Sequence, residues 1–377
     1  MTYLVDRTRP GPQVHALVIG VGSYRHLTGG HKVADYDVLV YDEPTTQLTS
    51  PPHSATAFAR WVTEEMRHPV AQLGSVDVLI SPCGPCGPEA VLETEIPSAD
   101  TVVDAVDRWR KRCESDPGNV ALFFFSGHGA DNGRPLLLLE DFARHKHRLL
   151  DAAVDLEGLV TGMRSCDAAR QYFFIDACRN RTDRLSALHS THTLPLLDIE
   201  DGNENRSDLA VISASVPGWK AGGDQHEVSA YTKALLDALA GRAASLAKGQ
   251  WRVTSLDLYG TVHELTGVAP QPQSPGLYVH GNLPLHVFDG PPDLPLGVRC
   301  TPGAATARSG IRVSDSSGYE PVFELEDAAW RAVAPAGIYS VAVDFPDRAY
   351  AQRPPMPLHH AFYPPDLDCT VDVERAS

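Results

Sequence analysis

The chain has no long apolar run, no excess of positive charge and little cysteine. No stretch approaches the 18 or more apolar residues of a membrane-crossing helix, so no membrane partner is expected. Lysine and arginine number 32 against 48 aspartates and glutamates, a formal charge of -16. A nucleic-acid binder needs a basic face, so no nucleic-acid partner is expected either. Residues 1–14 carry Arg7 and Arg9 but no apolar core and do not read as a signal peptide. Seven cysteines, odd in number and scattered, suit reduced thiols and a cytoplasmic setting better than a disulfide framework. Cys83-Gly84-Pro85-Cys86 lacks the second ligand pair that zinc would require. No Asp/Asn-rich loop marks a calcium site, and Gly20-Val21-Gly22 is short of a dinucleotide fingerprint. The expectation is therefore no cofactor and no metal.

What is present reads as an ordinary globular protein. The 377 residues, 43% hydrophobic and 21% charged, suffice for one large domain and a smaller one. Apolar runs at 14–21, 76–80, 119–125, 171–175 and 209–213 read as strands, with a short strand at 135–139. Helical spacing falls at 54–66, 98–113, 156–164, 228–239 and 255–265, the last with Ser255 as N-cap. Continuous apolar strands alternating with helices predict an α/β fold with a doubly covered, mostly parallel sheet. Residues 29–52 read as a long loop and 180–208 as a flexible linker without core-forming periodicity. Beyond Pro284 proline and glycine become frequent, and runs at 310–314, 321–325 and 337–343 alternate like half-buried strands. The expected division is an α/β domain over 1–283 and a small all-β, sandwich-like domain over 284–377.

Two of the apolar runs end on reactive side chains. Phe123-Phe124-Phe125-Ser126-Gly127-His128-Gly129 delivers an imidazole, and Tyr172-Phe173-Phe174-Ile175-Asp176-Ala177-Cys178-Arg179 a thiol. Ligands bind beyond the carboxyl ends of parallel strands, and neighbouring strands lie about 4.8 Å apart. His128 and Cys178 are thus candidates for a base and its nucleophile. A thiol attacks a carbonyl only as the thiolate, which a nearby base supplies. The Gly129 and Cys178 amides are candidates for binding the oxyanion of the resulting tetrahedral intermediate. Acyl transfer, in its simplest form peptide hydrolysis, is the chemistry expected.

Ser-Gly-His-Gly after one apolar strand and Asp-Ala-Cys-Arg after another resemble the caspase-like cysteine peptidases, above all the prokaryotic caspase homologues and metacaspases. The resemblance spans about residues 14–281 and includes the strand Leu209 to Ser215 and the segment Tyr231-Thr232-Lys233-Ala234-Leu235-Leu236. It implies a caspase-like fold for the α/β domain, His128 and Cys178 as the catalytic dyad, and Gly129 at the oxyanion hole. It also places Asp176 as an acidic wall of the S1 pocket, favouring Arg or Lys at the substrate's P1 position. Where metacaspases carry a second S1 acid this chain has Ser54, with Asp224, Asp35 or Asp37 as candidate substitutes and Ser215 as a further substrate-binding candidate. The family's maturation cuts fall in the segment corresponding to 180–208, where Arg181, Arg184 and Arg206 would suit self-cleavage. A regulated effector protease, made as a zymogen and acting in defence or cell death, is what the resemblance implies. Its partners would be a protein or peptide substrate and a regulatory protein held by the β domain. Two alternatives stand beside it: a catalytically silent caspase-like adaptor, and a protease with an acidic P1 preference.

Overall fold

A computed structural model describes residues 3–36, 38, 45–82, 92–179, 193–198, 208–215, 227–268, 273–282 and 284–376. The chain divides into two compact units, residues 1–236 with 262–285 and residues 237–261 with 286–377. The first unit holds nearly everything that positions the reactive side chains.

In chain order its elements are β1 (Tyr3–Asp6), β2 (Gln13–Gly20), α1 (Ser50–Glu64), β3 (Gln72–Ile80), α2 (Ala99–Cys113), β4 (Val120–Gly127), β5 (Gly129–Asp131), β6 (Pro135–Leu138), β7 (Ala153–Asp155), α3 (Leu156–Met163), β8 (Arg170–Ala177), β9 (Asp208–Ser213) and α4 (Ala230–Asp237). The hairpin β10 (Ala244–Ala247) and β11 (Gln250–Thr254) follows, then α5 (Ser255–Gly267) and β12 (Gly276–His280). One seven-stranded sheet runs β1-β3-β2-β4-β8-β9-β12. Its five inner strands are parallel, while β1 and β12 pair antiparallel at the two edges. This is the doubly covered, mostly parallel sheet that the apolar runs predict.

The inner strands are buried on both faces, which is why they read as unbroken apolar runs. Alternate residues of β4 and β8 serve opposite layers. Phe124 and Phe174 meet Phe58 of α1, with ring centroids 4.4 and 5.6 Å apart. Phe123 and Phe173 meet Trp109 of α2, at 6.0 and 6.4 Å. Each such ring contributes about 1.5–3 kcal/mol by leaving water. Helix α1 lies so close to β2 that a Cβ at Gly20 would fall 2.6 Å from the Ala55 Cβ. Helix α2 is capped by Ser98 and Thr101 reciprocally, and α3 by Asp155, whose carboxylate accepts the Gly158 N–H at 3.1 Å.

The 135–139 strand forms as expected and belongs to a separate three-stranded sheet, β5-β6-β7, because its antiparallel partners are the short segments on either side. Two expectations need correction. The 180–208 stretch is not uniformly unanchored. Leu194 bridges to Val154 and donates its N–H to the Ala153 carbonyl at 2.9 Å, Leu196 is buried, and Leu197 packs on Gly162 of α3. Three leucines in four residues supply an apolar foothold that periodicity does not reveal. The start of α5 is held by Thr254, whose hydroxyl accepts the Asp257 N–H at 3.3 Å, where Ser255 had been expected as cap.

The second unit contains β10, β11 and the strands β13 (Pro284–Val287, at the division), β14 (Asp293–Thr301), β15 (Gly310–Asp315), β16 (Glu324–Glu326), β17 (Ala329–Pro335), β18 (Gly337–Asp344), β19 (Tyr350–Gln352), β20 (Leu358–Phe362) and β21 (Asp368–Arg375). Two sheets, β16-β17-β14-β21-β19 and β15-β18-β20, alternate buried and exposed residues, as half-buried strands do. Residues 237–261, which sequence texture groups with the α/β domain, cluster here. Gly241 packs against Pro292, and the Trp251 ring meets Tyr363 edge-on at 5.3 Å.

Candidate active site

Strands β4 and β8 are parallel and in register, with Ser126 opposite Asp176 and Gly127 opposite Ala177. The next residue of each chain is His128 or Cys178, so the two emerge side by side at one edge of the sheet. The thiol is in no disulfide and half-buried. Gly129 lies against it: a Cβ there would overlap the Cys178 carbonyl oxygen and come within 2.9 Å of the Ala177 Cβ. Any other residue would push the two strand ends apart. Arg179 pairs with Asp131 at 3.0 Å, an interaction that holds the chain just after the thiol.

His128 is almost wholly buried, 6% exposed. Its Nε2 lies 2.7 Å from the Thr46 carbonyl oxygen. A carbonyl can only accept, so Nε2 carries the proton and Nδ1 keeps its lone pair. The His128 N–H donates to the Tyr24 hydroxyl at 2.6 Å, and the two rings lie 4.8 Å apart, tilted by 45°. Burial lowers the imidazole's pKa to about 4, only partly offset by the Thr46 carbonyl. The ring is therefore neutral at physiological pH, with one basic nitrogen. Burial likewise pushes the Tyr24 hydroxyl well above the usual phenol range and keeps it protonated.

Asp176 faces the α1 and α4 layer and is 5% exposed. Its Oδ2 accepts hydroxyls from Ser126 at 3.0 Å, Ser229 at 2.5 Å and Thr232 at 2.9 Å. Ser229 is also the cap of α4, accepting the Thr232 N–H at 3.0 Å. Ser54 joins the same cluster, bonding Asp176 and accepting the Ser229 N–H at 3.0 Å. Burial raises the carboxyl's pKa, and the four hydroxyls oppose that shift by stabilising the anion. A cavity of about 510 Å³ opens on the other side of β8, lined by Ile175, Ala177, Cys178, Val160, Arg164 and Tyr278. The thiol is thus accessible from a concave surface that Asp176 does not line.

Of the residues expected at the site, His128, Gly129 and Cys178 come together, and Asp176 and Ser54 meet next to them. Ser215 does not face a substrate surface: it is fully buried and donates its hydroxyl to the Ala177 carbonyl at 3.0 Å, bracing the strand that carries the thiol. Asp35 is exposed. Asp37, Asp224, Arg181, Arg184, Arg206, Cys83 and Cys86 lie outside the described residues. Sequence reasoning missed Tyr24 and Thr46. Tyr24 follows the turn that ends β2 and had a signal in its place after Gly22-Ser23. Thr46 acts through its backbone carbonyl, an atom every residue has, and left none.

Comparison with known proteins agrees with this picture. The family model of the caspase domain of peptidase family C14 matches residues 13–256. The uncharacterized protein y4kE of Sinorhizobium fredii is 27% identical over 176 residues, 45% of this chain and 50% of that protein. The match thus spans about half the length of that curated relative. Among solved structures, a Geobacter sulfurreducens protein, GSU0716, aligns over 72% of this chain and 94% of its own at 16% identity and a TM-score of 0.43. Caspase-1 of Spodoptera frugiperda aligns over 74% and 94% at 15% identity and a TM-score of 0.42.

Proposed function

This chain belongs to the caspase-domain family of peptidases, and from that premise we propose that it is a cysteine endopeptidase worked by Cys178 and His128. In the first step the Cys178 thiol passes its proton to His128 Nδ1 while Sγ adds to the scissile carbonyl carbon. The Gly129 and Cys178 amides hold the resulting oxyanion. Collapse of the tetrahedral intermediate breaks the C–N bond, the imidazolium gives its proton to the leaving amine, and a thioester remains. Water then attacks the thioester, losing a proton to Nδ1, and the acid departs as the proton returns to Sγ. The single observation that carries this reading is the register of β4 and β8, which supports placing an imidazole beside a thiol at one sheet edge.

Asp176 is the residue we assign to a P1 preference for Arg or Lys, acting from the α1 and α4 face of β8, opposite the cavity that Cys178 lines. Among the described residues its buried carboxylate has hydroxyls as hydrogen-bond partners. Self-cleavage in the 180–208 segment, cytoplasmic action and a regulatory partner for the β unit belong to the same proposal.

The test uses peptidyl chloromethyl ketones ending in Arg, Lys or Asp, with covalent labelling read by intact mass, alongside cleavage of matched fluorogenic peptides. Wild type is expected to label at Cys178 and to cleave after Arg or Lys. The Cys178→Ala variant should not label, and His128→Asn should turn over about a thousandfold more slowly. Labelling only by the Asp reagent would reverse the P1 assignment. A wild-type protein that is folded yet inert to all three would leave the adaptor reading in its place.

A further inference from the structure

We propose that Gln47 is the positioning residue that holds His128 in its working tautomer, an inference that rests on the role given to His128 above. Two contacts of the His128 ring, with the Thr46 carbonyl and with the Tyr24 ring, come from connecting segments of the first unit. What ties those segments together is one amide side chain. Gln47 Oε1 accepts the Tyr24 N–H at 2.6 Å, and its Nε2 donates to the Tyr24 carbonyl at 2.9 Å and to the Thr28 carbonyl at 3.0 Å.

Those three bonds use both amide protons and the amide oxygen, so the group has one orientation: turned over, it would set donors on a donor and an oxygen on two carbonyls. The backbone on either side follows. Leu48 donates to the Gly22 carbonyl at 2.8 Å, and Thr46 bridges to Thr28. Gln47 thereby sets both the carbonyl aimed at Nε2 and the ring lying against the imidazole. If the Thr46 carbonyl shifts, the bond that holds the proton on Nε2 is lost, and a proton on Nδ1 removes the base.

Two variants separate this role from a merely structural one. Gln47→Met keeps the length of the side chain and removes all three bonds. Gln47→Glu keeps the acceptor for Tyr24 N–H and turns an oxygen towards two carbonyls; it serves if Gln47→Met does not fold. The decisive readout is the ring-nitrogen spectrum of His128 in ¹⁵N-histidine-labelled full-length protein, assigned by loss of its signals in His128→Asn. Wild type is expected to show a protonated Nε2 and a bare Nδ1, and the folded Gln47 variants a mixture of tautomers. On peptide substrates kcat is expected to fall about ten- to a hundredfold with KM within twofold. An unchanged tautomer in a folded variant overturns the proposal, whatever the activity does. A wild-type protein inert to peptides would overturn the peptidase reading alone, because the nitrogen spectra decide the placement of His128 without any turnover.

Discussion

Two ionisable side chains sit at the same edge of the main sheet, and their surroundings are built from different parts of the chain. The His128 ring is held by a backbone carbonyl and a neighbouring phenol ring, both on loops. The Asp176 carboxylate is held by four hydroxyls from α1, β4 and the start of α4. One environment gives its occupant a protonated Nε2 and a fixed orientation. The other crowds a single oxygen with donors that themselves need an acceptor. Both groups are desolvated, but the imidazole stays neutral at no electrostatic cost, whereas the carboxylate depends on its hydroxyls to remain charged. The contrast teaches where each environment is vulnerable: the acid through side chains, the base through backbone geometry.

The largest effect that can break this contrast is at the acid. Asp176→Ala leaves four buried hydroxyls without their acceptor, and stability is expected to fall by about 3–5 kcal/mol, with each orphaned donor worth about 1–3 kcal/mol before water partly replaces the carboxylate. Asp176→Asn, which keeps an acceptor oxygen, should lose much less. Urea unfolding of the three proteins measures it, and equal stability of Ala and Asn variants would mean that the hydroxyls do not depend on the carboxyl oxygen.

At the base the effect is one of pH. The unfolded His128 has a pKa of 6.5 and the folded one about 4. Between those values the unfolded chain binds the extra proton, so the native state loses stability as pH falls through that window and keeps its full contribution above 6.5. Relative to His128→Asn, wild type should lose at most about 3 kcal/mol between pH 6.5 and 4. Chemical denaturation at four pH values tests this. A difference that stays flat, or widens in the other direction, shows that the ring is not buried neutral.

The smallest effect sharpens the contrast most. Thr46 presents only its carbonyl to His128, and its side chain is exposed. Thr46→Ala should therefore leave kcat/KM within about twofold of wild type, as surface substitutions away from special features do. A large loss would show that the hydroxyl, and not the backbone, is what matters there.

The same distinction explains what the sequence made legible. Strands buried on both faces announce themselves as apolar runs, and β2, β4 and β8 fall where residues 14–21, 119–125 and 171–175 predict, each longer or shorter by a residue or two. Edge strands do not. β12 alternates half-buried with exposed residues and pairs antiparallel, and β1 lies in a segment with no apolar run at all. His128 and Cys178 were legible because strand ends carry chemistry in parallel sheets. The cluster around Asp176 was half legible: Ser54 had been noted as a missing acid, yet Ser229 and Thr232 looked like any helix start. Thr46 could not be found from residue type, because its contribution is a carbonyl oxygen delivered by the path of a loop. Gly241 with Pro292 and Trp251 with Tyr363 show the same limit for unit membership, since contacts between distant segments have no local signature.

The foothold of Leu194, Leu196 and Leu197 on β7 and α3 has a consequence for the chain's integrity. Downstream of it, β9 is threaded between β8 and the edge strand β12. If the backbone were severed anywhere in residues 180–192, the two fragments would still be gripped together by that foothold and by a full ladder of interstrand bonds. A nicked molecule would migrate as one particle under native conditions and come apart only in detergent.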